Sequence, residues 1–525
     1  MTVLPARNGI FDSMATYLVI AGIIGTILAY YLAGKVYKRK KILSGIFKPL
    51  LVLAFLSLVT TLGIYGYNTI TGKKDSKNIS NKPNIIILSY DSLNIHHMSV
   101  YGYSRETTPN LKNFAQNSYL FSRMKCNINS TSEALKAMSG LAPGLDNSQS
   151  KSLMEMLQPY YPDRKFISFT NYGKDFNKDF TRTYHVNRFD ATETAGFLYR
   201  DNPANREMFF WLADFFSENF KFYNLFYLID PRNMNLKTGD PYPQAVYFDI
   251  ILNSLKRDGG GVFIWAHFFE PHLPYLTPEQ FNKNFGDIKD TYKKHILATG
   301  ISRQFIIDRY DSAILYLDHE FGNFIAELKR KDLYNNSIII ITSDHGESLL
   351  DTSKKTNITL LGHKFEVLTP TITDIPFILH LPGQKQGEKI STFATQLDIA
   401  PTLLEILSLQ IPHSFAGESL VPYLNEPDKM SEKVKFTVSE TLFDNKQNFY
   451  IDDNTLKVYF GKYIIEFLIS GEEKEPRSKL LYIENAMTGR ELDLNRNMEK
   501  AKQLFNSITQ NIVIKHYLNY TSPNS

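Results

Sequence analysis

From residue 84 onward, short apolar runs alternate with longer segments of helical periodicity. Asn84-Ile85-Ile86-Ile87-Leu88 and Ile338-Ile339-Ile340-Ile341 are apolar at consecutive positions and rich in β-branched residues, the pattern of strands covered on both faces. Val262-Phe263-Ile264-Trp265-Ala266 and Arg164-Lys165-Phe166-Ile167-Ser168-Phe169 read as two more. Between Phe305 and Leu333, the residues Ile306, Tyr310, Ala313, Leu317, Phe321 and Ile325 recur at helical spacing. They predict a long amphipathic helix with Tyr310 in the core and Asp318 on the solvated face. The alternation predicts an α/β fold, a mostly parallel sheet sandwiched by helices.

Two earlier segments differ. Residues 14–34 and 49–70 are almost uncharged and apolar all round, and each is close to the ~20 residues a helix needs to span a bilayer. They predict two N-terminal transmembrane helices. Lys35, Lys38, Arg39, Lys40, Lys41 and Lys48 between them mark a cytoplasmic loop, which places everything after residue 70 outside. The expected organisation is an anchor (1–72), a polar linker (73–83), a catalytic domain (84–430) and a C-terminal α+β subdomain (431–525). An aromatic-rich stretch at about 190–243, with Phe209-Phe210-Trp211 and Phe222-Tyr223, reads as a helical insertion or as a surface that meets lipid or sugar.

Chemistry gathers where apolar runs end. The first run ends in Ser89-Tyr90-Asp91-Ser92, and Asp91 is either a hard-oxygen ligand for a divalent cation or a cap for the next segment. The Ile338 run ends in Thr342-Ser343-Asp344-His345-Gly346-Glu347, with two metal-ligand types side by side. The Trp265 run leads to His267 and His272, and His363 lies in a polar loop. His380 reads as structural; His96, His97 and His319 read as surface or helix residues. Ser130 and Glu133 have the form of a capping box, which predicts a helix start and leaves Thr131 at a helix N-terminus, where a developing alkoxide or a bound anion is favoured.

Five segments in order resemble the alkaline phosphatase/sulfatase superfamily: Asp91-Ser92-Leu93 with Tyr101 to Leu111, Ser130-Thr131-Ser132-Glu133, Pro271-His272-Leu273-Pro274-Tyr275, Ser343 to Glu347, and Leu397-Asp398-Ile399-Ala400-Pro401-Thr402. The formylglycine motif Cys/Ser-x-Pro-x-Arg is absent. Thr131-Ser132-Glu133 is instead similar to the nucleophile region of phosphoethanolamine and phosphoglycerol transferases. The resemblance implies metal ligation by Asp91, Thr131, Asp344 and His345, with Thr131 as nucleophile. It implies that His272 and His363 bind the transferred phosphate or a second metal. It also implies zinc or manganese, with calcium possible as cofactor, and a small C-terminal antiparallel sheet from Leu456 onward, as in sulfatases.

The expected function is transfer of a phospho-substituent such as phosphoethanolamine from a membrane lipid to an envelope lipid or glycan. The alternative is hydrolysis of sulfate, phosphate or phosphonate esters. A net charge of +4 over 525 residues implies no nucleic-acid partner, and the single cysteine excludes an internal disulfide framework.

Overall fold

The computed structural model describes residues 82–143, 150–168, 179–185, 244–257, 260–286 apart from 274, 276 and 283, 302–352, 359–363, 368–439, 451–471, 477–493 and 498–508, together with Phe176. The expected membrane spans and the aromatic insertion lie outside these residues. Among the described residues, no helix is long and apolar enough to cross a membrane.

Eight strands form the central sheet: β1 (Asn84–Tyr90), β2 (Tyr119–Phe121), β3 (Arg164–Ser168), β4 (Arg182–His185), β5 (Phe263–Phe268), β6 (Ser337–Ser343), β7 (Phe377–His380) and β8 (Glu388–Ile390). Their order is β8-β2-β7-β6-β1-β5-β3-β4. All neighbours are parallel except at β7, which runs against both β6 and β2.

The consecutive apolar residues of β1 and β6 are explained by cover on both sides. Ile86, Leu88, Ile339 and Ile341 share one core with Tyr310, Ile314, Leu317 and Phe321 of the long helix. Ile85, Ile87, Ile338 and Ile340 share the other with Leu403 and Leu404. Each such buried side chain contributes on the order of 1.5–3 kcal/mol, so the central strands are the most firmly fixed part of the sheet.

Four helices matter for the site: α1 (Pro109–Ala115), α2 (Thr131–Met138), α3 (Gln244–Ser254) and α4 (Arg303–Arg330). Helix α4 is the predicted amphipathic helix, capped by the Ser302 side chain, which accepts from the Phe305 N–H at 3.2 Å. Asp318 departs from expectation. It is buried, not solvated, and accepts from the N–H groups of Asn110 (2.8 Å) and Leu111 (2.7 Å). The first turn of α1 has donors without helical partners, and a carboxylate from α4 supplies the acceptor.

After helix α5 (Ile399–Ile406), five strands form an antiparallel sheet in sequential order: β9 (Lys435–Val438), β10 (Ile451–Phe460), β11 (Tyr463–Gly471), β12 (Arg477–Asn485) and β13 (Arg490–Glu491). This is the small C-terminal sheet expected from the sequence. Lys435 is buried between Asp398 Oδ1 (2.7 Å) and Glu418 Oε1 (2.8 Å), tying the sheet to the segments on both sides of α5.

Candidate active site

Tyr90 at the end of β1 pairs with Ser343 of β6 on one side and Phe268 of β5 on the other. Three adjacent parallel strands therefore stop at one level, and their outgoing loops converge, as α/β sheets generally arrange their sites. Asp91 follows β1, Asp344 and His345 follow β6, and the loop after β5 carries His272. The loops are stitched together: the Ser343 hydroxyl donates to Tyr90 O (2.7 Å) and accepts from the Leu93 N–H (3.0 Å). Gly346 is required by close approach. A Cβ there would lie 2.0 Å from the Thr371 carbonyl oxygen.

Asp91, Asp344 and His345 are buried, and one ligand atom from each lies within 4.8 Å of the others. Burial pushes the His345 imidazole down to about 3, so it is neutral. Its Nδ1 lies 3.0 Å from the Gly346 carbonyl oxygen and must donate there, which leaves the Nε2 lone pair facing inward. That lone pair is 3.3 Å from Asp344 Oδ2 and 4.0 Å from Asp91 Oδ1. Asp344 Oδ2 is itself buried with no hydrogen-bond partner among the described residues. Burial raises the Asp344 carboxyl, but the adjacent His345 and His267 rings and the Ser92 N–H together hold it below its ordinary value. Two carboxylates and an imidazole lone pair directed at one another fit a divalent cation.

Thr131 opens α2, and its Oγ1 lies 3.3 Å from His345 Nε2. The helix starts where the sequence predicts, but the capping box does not form. Ser130 makes no side-chain capping bond, and Glu133 instead accepts from Lys136 Nζ at 2.6 Å, one turn along. The segment leading to Thr131 is held from the end of the chain. The Asn127 side chain donates to Phe436 O (2.9 Å), the Val438 N–H donates to Asn127 O (2.9 Å), and Thr437 Oγ1 donates to Cys126 O (2.5 Å).

His363 joins the same cluster. Its ring stacks on His345 with centroids 3.9 Å apart, and the His272 ring lies 5.2 Å from it. His272 Nδ1 is 2.6 Å from the Leu273 carbonyl oxygen, so its Nε2 also carries a lone pair. Burial holds His272 below its ordinary value. The geometry thus brings together all six residues picked out from the sequence. Among the other histidines, His380 is buried in β7 against Asn117 O at 2.7 Å, as a structural residue should be. His97 is buried in a short 3-10 turn, not exposed, because Asp311 Oδ1 takes its Nδ1 at 2.7 Å.

Two functional residues escaped the sequence reading. Glu347 is fully buried and accepts from Tyr275 OH (2.7 Å) and from His363 Nδ1 (3.1 Å), which directs the other ring nitrogen of His363 away from it. The only sequence signal was its place two residues after the Asp-His pair. Ser92 is a hub: its N–H donates to Asp344 Oδ1 (3.0 Å), its hydroxyl donates to Asp91 Oδ1 (3.0 Å), and that hydroxyl lies 3.4 Å from His363 Nδ1. It does this at φ 67°, left-handed backbone that costs a non-Gly residue roughly 1–2 kcal/mol. Nothing in the local sequence announces that conformation.

The Sulfatase family model matches residues 83–409, more than half of the chain. The chain belongs to the Sulfatase family. Among curated members, it is 32% identical over 230 residues to the lipoteichoic acid synthase of Staphylococcus saprophyticus, covering 40% of this chain and 34% of that protein. It is 30% identical over 118 residues to human arylsulfatase K, covering 22% and 20%. The chain therefore spans about a third or less of the length of these relatives. The solved phosphonate monoester hydrolase of Silicibacter pomeroyi shares the fold, with a TM-score of 0.57 at 14% identity over 82% of this chain and 96% of that one. Members of the Sulfatase superfamily are metal-dependent, and Asp91, Asp344 and His345 are the candidate ligand set for such an ion in this Sulfatase-family chain.

Proposed function

We propose that this protein is a metal-dependent phospho-group transferase that uses Thr131 as its nucleophile. It takes a substituent such as phosphoethanolamine from a phospholipid donor and passes it to an envelope lipid or glycan. The observation that carries the reading is the position of Thr131 Oγ1, at a helix N-terminus and 3.3 Å from His345 Nε2, beside two buried carboxylates. The similarity to a lipoteichoic acid synthase and the lack of a formylglycine motif support it.

A divalent cation held by Asp91, Asp344, His345 and Thr131 would lower the pKa of the Thr131 hydroxyl and neutralise phosphoryl charge. Thr131 Oγ1 attacks the donor phosphorus, an O–P bond forms, and the bond to the lipid alcohol breaks. The Thr131 proton passes to the outward ring nitrogen of His272 or His363, which delivers it to the departing oxygen. The acceptor hydroxyl then attacks the same phosphorus and gives its proton to that histidine, the bond from phosphorus to Thr131 Oγ1 breaks, and the histidine returns the proton to Thr131. Residues 1–72 anchor the chain through two transmembrane helices, residues 73–83 are the linker, and the catalytic domain faces outward, where the donor lipid is accessible.

A hydrolase is the second reading, favoured by the fold shared with a phosphonate monoester hydrolase and by the C-terminal sheet. The two readings part in one experiment. The purified full chain, loaded with zinc or manganese, is incubated with labelled phosphatidylethanolamine or phosphatidylglycerol, followed by intact mass and peptide mapping. A head-group adduct on Thr131 that is absent from Thr131→Ala supports the transferase. Cleavage of p-nitrophenyl phosphate or sulfate with no adduct supports the hydrolase. Wild-type turnover in Thr131→Ala refutes the nucleophile under either reading.

A further inference from the structure

We infer that Tyr310, on the buried face of α4, is a positioning residue for the metal ligands through a two-bond clamp on the Ser92 turn. The inference rests on the proposed metal site. Tyr310 OH donates to the Ser92 carbonyl oxygen at 2.6 Å and accepts from the Asn94 N–H at 3.0 Å. These bonds grip the turn on both sides of Leu93. The turn includes the left-handed Ser92, whose N–H and hydroxyl touch Asp344 and Asp91, so both carboxylates depend on the conformation that the clamp holds.

The phenol is itself immobile. Tyr310 is fully buried, its ring meets the Tyr275 ring edge-on with centroids 5.4 Å apart, and the His97 ring stands perpendicular to it at 5.3 Å. Asp311, the next residue of α4, holds His97, Tyr103 (2.8 Å) and Arg105 (2.7 Å), which fixes the far side of the same loop. A left-handed serine has extended backbone as its ready alternative. Among the described residues, no other hydrogen bond from α4 reaches Ser92, Leu93 or Asn94, so loss of the Tyr310 hydroxyl frees that relaxation, which would rotate the Ser92 N–H away from Asp344. Partners of this kind around a metal site typically change affinity 10- to 100-fold when removed.

The test uses zinc alone and the full-length protein in detergent. Zinc affinity is measured by competition with a chromophoric chelator, alongside melting of the metal-free form, for wild type, Tyr310→Phe and the control Tyr334→Phe. Tyr334 is also a buried tyrosine, its OH 3.4 Å from His380 Nδ1, but it sits just before β6, at the opposite end of that strand from Asp344. The expected result is a 10- to 100-fold loss of zinc affinity in Tyr310→Phe and none in Tyr334→Phe. Equal affinity in Tyr310→Phe and wild type overturns the inference, as does an equal loss in both variants. A Tyr310→Phe protein that fails to fold while Tyr334→Phe folds overturns it too, because the hydroxyl would then serve the whole domain. If wild type binds no zinc, the metal-site reading itself fails, an outcome distinct from all of these.

Discussion

Replacing Glu347 by Gln keeps the shape of a fully buried side chain and removes one charge. In the native site the carboxylate accepts hydrogen bonds from Tyr275 OH at 2.7 Å and from His363 Nδ1 at 3.1 Å. The Gln amide oxygen can still serve Tyr275. Its NH2 group then meets the Nδ1–H of His363, donor against donor, and the imidazolium form of His363 loses its anionic partner. A hydrogen bond to a charged group contributes roughly 1.5–3 kcal/mol. If that difference is felt when His363 handles the leaving-group proton, kcat falls roughly 10- to 150-fold, at 1.4 kcal/mol per factor of ten. The assay is steady-state turnover of bis(p-nitrophenyl) phosphate by the zinc-loaded full chain, with kcat and KM separated and melting recorded in parallel. The loss should fall on kcat, because Glu347 is buried and meets the substrate only through His363. A kcat within threefold of wild type, in a folded variant, would refute the assignment of Glu347 as the partner that orients His363.

Two further outcomes are expected. Lys435→Met leaves the buried Asp398 and the half-buried Glu418 without their common cation, and breaking a buried pair typically costs about 3–5 kcal/mol; a clear drop in melting temperature checks it, and an unchanged one rejects it. Burial holds His267 down at about 4 against an ordinary value of 6.5. Below pH 6.5 the unfolded chain takes up a proton that the folded one refuses, so this contribution to stability is present above pH 6.5 and is lost as pH falls towards 4. Metal-free wild type should therefore lose more melting temperature across that window than His267→Gln, and parallel curves would contradict the argument.

The central strands were legible because β1 and β6 are covered on both faces, which writes an unbroken apolar run into the sequence. The strand ends were legible for the same reason: a run that stops at an acid marks a fixed point in space. Residues whose role depends on a distant partner were not legible. The periodicity put Tyr310 in the core and was right about its ring, but gave no view of the hydroxyl. Asp318 looked solvated because its partners, the first N–H groups of α1, lie about 200 residues away in the chain. The Ser130–Glu133 pattern predicted the start of α2 correctly and the side-chain bonds wrongly, because Lys136 competes for Glu133.

The bonds between Cys126, Asn127 and the strand at Lys435–Val438 have a consequence for the timing of synthesis. The segment before Thr131 stays without these partners until residue 438 has been made, roughly 300 residues later, or about 15–60 s at ~5–20 residues per second. A ribosome-bound chain that already contains Asp91, Thr131, Asp344 and His345 therefore still lacks the support for the segment before Thr131, which is complete only once residue 438 has emerged.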